Sequence, residues 1–288
     1  MNRSKKIGDR RDAIKVRNID ALHKLMLFIK PRRCDSDVYI NQKIDCTNLV
    51  KYVEEKKKDI KDLTYFHVFC TAVAKVLYNK PLLNRYVINK NFYDRKDVTL
   101  SFVAKVKFTD DAPEYMNILK IEKDDTINEI KDKISGVVKD VRNDKKSGTD
   151  GIIDLVGKMP KFVQRIIVWV VKMLDNYDLL PSTITDNLIY YSSVLLSNLG
   201  SIDCGAIYHN LTDFGTNSIV ITMGKIHKEM VVNDKGVSEI RSICDFGINL
   251  DERIADGVYF AKSVKLLQYI IENPDMLENK VSEIINEE

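Results

Sequence analysis

The stretch NLDERIADGVYF, from Asn249 to Phe260, contains residue types that can do acid–base chemistry. Asp251 and Glu252 are adjacent acids, Arg253 follows them, and an Asp–Gly pair stands four and five positions after Glu252. A positioned carboxylate can take a proton from a reacting group. The sequence therefore raises the question whether Glu252 is a catalytic base or the residue left where a base used to be.

The segments around this stretch carry strand and helix patterns. DVYINQKID and DVTLSFVAKVKF have apolar residues at alternate positions, which predicts half-buried strands. Between them, apolar residues from Leu63 to Tyr78 recur at three-and-four spacing, which predicts a helix that is capped by Thr64 and packs on a sheet. Strand patterns return after Pro181 with a turn at Asn233–Gly236, and a last helix ends at Pro274. This order predicts one α/β domain with a mixed sheet.

The charges nearly balance, with 45 Lys and Arg against 42 Asp and Glu, so the composition does not indicate a nucleic-acid-binding protein. Basic residues concentrate near the N-terminus. Residues 1–35 are predicted to form a basic arm, which we interpret as solvated, and residues 36–288 a single domain. The five cysteines show no metal-ligand spacing, and no apolar leader is present, which predicts a cytoplasmic protein with reduced thiols and no metal site.

The most apolar tract runs from Phe162 to Leu174 and contains Trp169, the only Trp of the chain. It is shorter than the roughly 20 residues that span a bilayer. Two interpretations are open: a helix buried in the core or in a subunit interface, or a helix that contacts a membrane or lines an acyl tunnel. The buried interpretation is favoured because short apolar helices are mostly buried. Residues 158–181 are predicted to be a helical insert.

Four segments resemble, in order, those of the catalytic domain of the 2-oxo acid dehydrogenase acyltransferases, a family similar in fold to chloramphenicol acetyltransferase. The family's C-terminal signature reads Asp-His-Arg, two variable residues, Asp or Asn, and Gly. DERIADG fits it except at the second position, where Glu252 replaces the His. LLSNLGS matches the strand ending in Ser-Asn-Leu-Gly, NSIVITMGKI the strand ending in Gly before a basic residue, and KPLLNRYV the Pro-x-Leu-Asn segment. The resemblance covers the chain from about residue 40.

The resemblance implies a two-layer α/β sandwich of the chloramphenicol acetyltransferase type. It also implies a homotrimer whose intersubunit channels admit coenzyme A from one side and the acyl acceptor from the other. By its position Ser197 would donate a hydrogen bond to the tetrahedral oxyanion, and Asp256 would lie beside the base. Asp251 and Arg253 would pair to hold the loop. The other positions that match the two signatures are Asn198, Gly200 and Gly257.

The missing His changes the expected chemistry. An imidazole of pKa about 6.5 suits a thiol of pKa about 8.5. The pKa of an ordinary Glu, about 4.3, is roughly two units further from that of the thiol, which makes proton transfer to it less favourable by about 3 kcal/mol. Burial and the neighbouring Asp256 would recover part of this difference, so Glu252 could still act as a base. His209 follows Ser197 by twelve positions and is a lesser catalytic candidate, whereas His23 and His227 have no such argument.

Two functions are therefore open. The first is a coenzyme A-dependent acyltransferase that moves an acyl group from a thioester to a small thiol, hydroxyl or amine acceptor. The second is a catalytically inactive homologue that binds acyl-CoA or a protein partner in a regulatory or scaffolding role. The lipoyl domain and the Ala-Pro linkers of the complex components do not occur in the sequence, so we expect a stand-alone protein without a covalent lipoyl group. Membrane docking through the basic arm and the apolar helix is a third, weaker interpretation.

Overall fold

A computed structural model of the chain describes residues 6–105, 114–142, 150–233 and 235–285. The strands are β1 (Ala13–Lys15), β2 (Asp37–Asp45), β3 (Arg85–Ile88), β4 (Asn91–Arg95), β5 (Val98–Lys105), β6 (Glu114–Ile121), β7 (Val194–Asn198), β8 (Ile219–Met223), β9 (His227–Val232) and β10 (Ser238–Asp251). The helices are α1 (Ala21–Ile29), α2 (Thr47–Lys56), α3 (Tyr65–Asn79), α4 (Ile127–Arg142), α5 (Asp150–Gly157), α6 (Lys161–Asn176), α7 (Ser182–Thr185) and α8 (Gly257–Glu272).

The larger sheet has the strand order β2-β10-β8-β7-β5-β6, with β9 paired to β10. β7 is parallel to β5 and β8, whereas the remaining pairs of this sheet are antiparallel. The predicted mixed-sheet α/β fold is therefore confirmed. A smaller sheet has the order β1-β4-β3. The predicted strand DVTLSFVAKVKF is observed as β5, and its last residues lie outside the described part of the chain.

The two faces of β10 have different environments. Phe246, Ile248 and Leu250 belong to the main core, where the ring of Phe69 from α3 lies 5.2 Å from that of Phe246. Because side chains alternate along a strand, Gly247, Asn249 and Asp251 face the other way, opposite the helices. The start of the DERIADG segment is therefore directed away from the helical layer.

The helix predicted between residues 63 and 78 is confirmed as α3, and Thr64 caps it. The backbone N–H of His67 donates to Thr64 Oγ1 at 3.4 Å, and the N–H of Thr64 donates in return to His67 Nδ1 at 3.1 Å. Burial lowers the pKa of His67 to about 4, so the ring is neutral at pH 7. His67 thus belongs to the packing and capping of α3.

The basic N-terminal segment is not a solvated arm over the residues described, 6–35. β1 is part of the smaller sheet. Arg10 is buried and donates to the carboxylate of Asp175 at 2.7 Å and to its carbonyl at 2.5 Å. The expectation was wrong because local composition does not show an acid 165 positions away that pairs with a buried Arg. No disulfide joins any of the five cysteines, all of which lie in the described part of the chain.

The apolar tract forms a helix, α6, as predicted, but this helix is not buried in the core. Val171 and Leu174 pack against a cluster containing Leu180, Leu188 and Tyr191. The opposite side is exposed, including Trp169 with 63% of its surface accessible. Helical periodicity locates apolar faces but does not show which of them another element covers. No described helix is long and apolar enough to cross a membrane.

Candidate functional site

The candidate site begins where β10 ends. Asp251 is wholly buried and accepts two hydrogen bonds from the Arg253 guanidinium, each of 2.8 Å. Arg253 also donates to the carbonyl of Lys30 at 3.0 Å. The N–H of Glu252 donates to the carbonyl of Ser36 at 3.0 Å. A bidentate Arg–carboxylate pair has a defined geometry, so this pair holds the residue between its two members in one place.

A second buried guanidinium lies behind this pair. Arg33 Nε is 3.9 Å from Asp251 Oδ2, and burial lowers the pKa of Arg33. The other nitrogens of Arg33 donate to backbone carbonyls at 2.6 to 3.1 Å, namely those of Thr212, Val87 and Gly215. Asp251 thus connects the end of β10 to the segment before β2 and, through Arg33, to the loop before β8. Sequence analysis missed Arg33 because no local pattern relates it to Asp251.

Glu252 and Asp256 line a cavity of about 630 Å³ between α1, β2 and α8. Ligand cavities in proteins commonly have volumes of about 300 to 1,000 Å³. The walls are mainly apolar, with Val38 and Ile40 from β2 and Phe260 from α8. The other polar or charged side chains at its wall are His23, Gln42, Arg253 and Lys265. An apolar cavity with a few polar groups suits a small or elongated organic ligand.

The Glu252 carboxylate is ion-paired with the ammonium of Lys30, the residue that follows α1. The two side chains are 31% and 35% exposed. This ammonium occupies an oxygen that a base would offer to its substrate. Lys30 was not predicted as a site residue because 222 positions separate it from Glu252.

Asp256 caps α8. Its Oδ1 accepts from the N–H of Tyr259 at 2.8 Å, and Gly257 is the first residue of the helix. A Ser, Thr, Asp or Asn at this position typically stabilises a helix by about 1 kcal/mol relative to Ala. Asp256 therefore has a structural role in starting α8 and also stands at the wall of the cavity that Glu252 lines.

His23, which the sequence argument set aside, lines the same cavity from α1. Asp20 caps α1, and its carboxylate accepts from the N–H of His23 at 3.0 Å and contacts His23 Nδ1 at 2.5 Å. A carboxylate on one ring nitrogen selects the tautomer and fixes the orientation of the ring. The signal in the sequence that could have located His23 was the spacing Asp-x-x-His at the start of a helix. His227, by contrast, lies on β9, with Nε2 3.3 Å from Glu229.

Ser197 lies at the other end of the sheet. Strand register places it opposite Thr222, which in turn is opposite Gly247. Gly247 precedes Glu252 by five positions, which at about 3.4 Å per residue is roughly 17 Å along the strand. Ser197 and Glu252 are therefore not neighbours within one chain, although Ser197 shares with Gly247 the face of the sheet opposite the helices.

A loop from Cys204 to Asp213 crosses this face of the sheet. Thr222 Oγ1 donates to the carbonyl of Ile207, and Asn249 Nδ2 donates to the carbonyl of His209 at 2.6 Å. The side chain of His209 is exposed. The loop therefore holds the backbone of His209 against the strand position three residues before Glu252.

The loop lies so close to the sheet that glycines are required beneath it. A Cβ at Gly247 would meet the carbonyl oxygen of Ile207 and lie 2.7 Å from Thr222 Oγ1. A Cβ at Gly224 would lie 2.6 Å from the backbone nitrogen of Ala206 in the loop, and one at Gly200 would in turn lie 2.8 Å from the carbonyl oxygen of Gly224. Near Gly200, the buried Oδ1 of Asn198 has no hydrogen-bond partner among the residues described.

Gly247→Ala should displace this loop and lower the free energy of unfolding by about 1–3 kcal/mol, the usual effect of overpacking. Urea unfolding followed by circular dichroism measures it. Gly136→Ala on α4 is the matched control, because nothing lies within 4 Å of the added Cβ. Ala there should leave stability unchanged or raise it by up to about 1 kcal/mol. Equal stability of Gly247→Ala and the parent would show that the loop does not rest on the strand.

Comparison with known proteins supports the resemblance drawn from the sequence. Residues 183–278 match the family described as 2-oxoacid dehydrogenases acyltransferase (catalytic domain). The lipoamide acyltransferase component of the branched-chain alpha-keto acid dehydrogenase complex of Bacillus subtilis is 23% identical over 237 residues. This match covers 81% of the present chain and 46% of that protein, so the chain spans about half the length of its curated relative.

Solved structures show the same fold. The dihydrolipoamide acetyltransferase of Azotobacter vinelandii is similar with a TM-score of 0.62 and 13% identity, over 91% of this chain and 94% of that one. A serine, a histidine and an asparagine of that enzyme have been investigated for their roles in its catalytic mechanism. Chloramphenicol acetyltransferase is similar with a TM-score of 0.52 and 12% identity, over 90% and 99% of the two chains. The chain is thus similar in sequence, over residues 183–278, to the acyltransferase catalytic domain of 2-oxoacid dehydrogenases, and it has the fold of chloramphenicol acetyltransferase.

Proposed function

We propose that the chain transfers an acyl group from a coenzyme A thioester to a small thiol, hydroxyl or amine acceptor. The observation that carries this proposal is the placement of Glu252 at the wall of a cavity of about 630 Å³ by the buried Asp251–Arg253 pair. In the Azotobacter enzyme the investigated histidine and asparagine are four positions apart. Glu252 and Asp256 have the same spacing, which supports the proposal that Glu252 takes the position of that histidine.

In the proposed reaction, the Glu252 carboxylate takes the proton of the acceptor while the acceptor's sulfur, oxygen or nitrogen attacks the thioester carbonyl. Ser197 of a neighbouring subunit donates a hydrogen bond to the oxyanion of the tetrahedral intermediate. The intermediate expels coenzyme A as a thiolate, which takes the proton back from Glu252. The products are the acylated acceptor and free coenzyme A. The atoms and protons of this reaction balance without a metal or a covalent lipoyl group.

The proposal places each site between two chains. Because Ser197 and Glu252 are roughly 17 Å apart along the sheet of one chain, they can act together only if different subunits supply them. Contacts that join two different surfaces close into rings, and we propose a homotrimeric ring. A trimeric mass by light scattering at micromolar concentration is the expected result, and a monomeric mass would exclude a shared site.

The test of the shared site is complementation between two inactive variants. Ser197→Ala and Glu252→Gln should each lose most of the turnover of an acyl-CoA panel with thiol, hydroxyl and amine acceptors. When the two are co-expressed in equal amounts, about a quarter of the sites in randomly mixed rings receive Ser197 and Glu252 intact. We expect about a quarter of the parent turnover. No recovery in mixed rings of proven composition would contradict a site built from two subunits.

One observation favours the second candidate function, a catalytically inactive homologue that binds acyl-CoA or a protein partner. The Lys30 ammonium occupies the Glu252 carboxylate, as in a structural ion pair. In that case the parent should bind coenzyme A without turning over any thioester. Dihydrolipoamide belongs in the acceptor panel because the Bacillus relative is named a lipoamide acyltransferase. The stand-alone state and the cytoplasmic location predicted from the sequence stay predictions.

A further inference from the structure

The exposed side of α6 is a continuous apolar stripe. Its members are Phe162, Ile166, Trp169 and Met173, which are 67%, 56%, 63% and 39% exposed. At 3.6 residues per turn, these positions fall within about 60° of one another around the helix. Tyr177 and Leu179, just beyond the helix, are also exposed, at 68% and 65%. A contiguous exposed apolar surface commonly marks a site of interaction with a protein or a membrane.

Cations flank this stripe. Lys161, Arg165 and Lys172 are exposed and lie about 60–100° from Phe162 on one side of the helix. Lys158 is exposed just before α6, and the sequence has no acidic residue between positions 155 and 174. Lys172 lies 3.8 Å from Asp213 of the loop before β8, and this acid offsets its charge. The positive charge on the outward side therefore comes mainly from the cations near the start of the helix. The exposed side of α6 therefore carries positive charge beside the apolar stripe.

The opposite side of α6 attaches the helix to the body of the protein. Val171 and Leu174 pack on the buried cluster around Tyr191, and Asp175 near the C-terminus of the helix binds Arg10. Tyr191 also donates to Asp175 at 2.8 Å. The stripe is thus held outward on an anchored helix. The matched family residues begin at position 183, after α6, so the family similarity assigns no role to this helix.

We propose that the α6 stripe docks on an anionic lipid surface, with Phe162, Ile166 and Trp169 in the headgroup–acyl boundary and the cations against lipid phosphates. Interfacial helices combine an apolar face with flanking Lys and Arg, and Trp favours the boundary between water and lipid. A second copy of the chain suits the surface less well. In an antiparallel two-fold contact of this patch with itself, the cations, which lie on one side of the stripe, would face their own symmetry mates and repel. The helix lies on the membrane in this arrangement and does not cross it.

Trp169 reports the docking directly because it is the only Trp of the chain. The full-length chain is mixed with vesicles of phosphatidylcholine and phosphatidylglycerol, and separately with vesicles of phosphatidylcholine alone. We expect flotation of the protein with the anionic vesicles and a shift of the emission to shorter wavelength, both reduced by salt. This expectation reverses the one that follows from a buried helix, in which vesicles leave the emission unchanged.

Variants separate the two parts of the surface. Lys161→Ala and Arg165→Ala should each weaken anionic-vesicle binding about fivefold, the effect of removing one charge near such a surface. Ile166→Ser should abolish the emission shift while leaving the fold intact, because its side chain is 56% exposed. The matched controls are Met230→Ser on β9, also exposed and apolar, and Lys51→Ala on α2, and neither should change binding.

Two results would overturn the proposal. One is the absence of flotation with anionic vesicles for the parent protein at low salt. The other is an emission shift that depends on protein concentration without vesicles and disappears in Ile166→Ser together with a fall in the mass measured by light scattering. That second result would assign the stripe to an interface between copies of the chain.

Discussion

Glu252→Gln should lower thioester turnover by about 10²- to 10⁴-fold, the range that general acid–base catalysis usually supplies. The substitution keeps the volume of the side chain but removes its charge, and with it the partly exposed ion pair with Lys30, so trimer formation and coenzyme A binding should be unchanged. Turnover is measured with the acyl-CoA and acceptor panel, and coenzyme A binding by calorimetry. Equal rates for the variant and the parent on every active pair would show that Glu252 is not the base.

Two further variants test the surroundings of Glu252. Lys30→Met removes the ammonium that occupies the carboxylate, so we expect turnover at least as fast as that of the parent. A rate as low as that of Glu252→Gln would instead make Lys30 part of the machinery. Glu252→His places an imidazole between Asp251 and Arg253, and transfer to thiols should appear or increase because the pKa of His is closer to that of a thiol. No thiol transfer in this variant, with coenzyme A still bound, would support the inactive homologue.

Asp251→Asn should lower the free energy of unfolding by about 3–5 kcal/mol, the usual effect of removing one partner of a buried ion pair. Asp251 is fully buried and is the carboxylate nearest to two buried guanidiniums, those of Arg253 and Arg33. Without its charge these cations lose their compensation and the loop that carries Glu252 loses its anchor. Chemical unfolding measures the free energy of unfolding, and the affinity for coenzyme A shows whether the loop that carries Glu252 keeps its position.

The control for Asp251→Asn is Asp203→Asn. Asp203 forms an ion pair with Lys225, and the side chain of Asp203 is 85% exposed. An exposed pair is typically worth no more than about 1 kcal/mol, and Asn tolerates the left-handed backbone of residue 203. If Asp251→Asn does not fold, Arg253→Lys provides the measurement, because it keeps the charge but not the bidentate geometry. A loss of less than 1 kcal/mol in both Asp251→Asn and Arg253→Lys would contradict the anchoring role of the pair.

Local patterns in the sequence located most regular elements near the site. The alternation in DVYINQKID predicted β2, and the three-and-four spacing with Thr64 predicted α3, because backbone geometry alone sets these periods. The signature spacing located Glu252 and Asp256 at the end of a strand and the start of a helix. β3 and β4 were missed because their turn, Asn89–Lys90, has positive φ at both residues without the Gly that usually marks it.

The surroundings of the site depended on contacts between distant parts of the chain. The Lys30–Glu252 pair, the Arg33–Asp251 contact and the burial of Arg10 by Asp175 each join residues more than 160 positions apart. Charge runs and periodicity describe only neighbours in sequence, so they assigned the basic segment to solvent and α6 to the core or to a subunit interface. The sequence determined which residue stands at the second place of the signature, Glu252, and the periodicity of most elements around it. Which charge faces Glu252, how far Ser197 lies from it, and which apolar face of α6 stays exposed are properties of tertiary packing, because they depend on how separate elements are brought together.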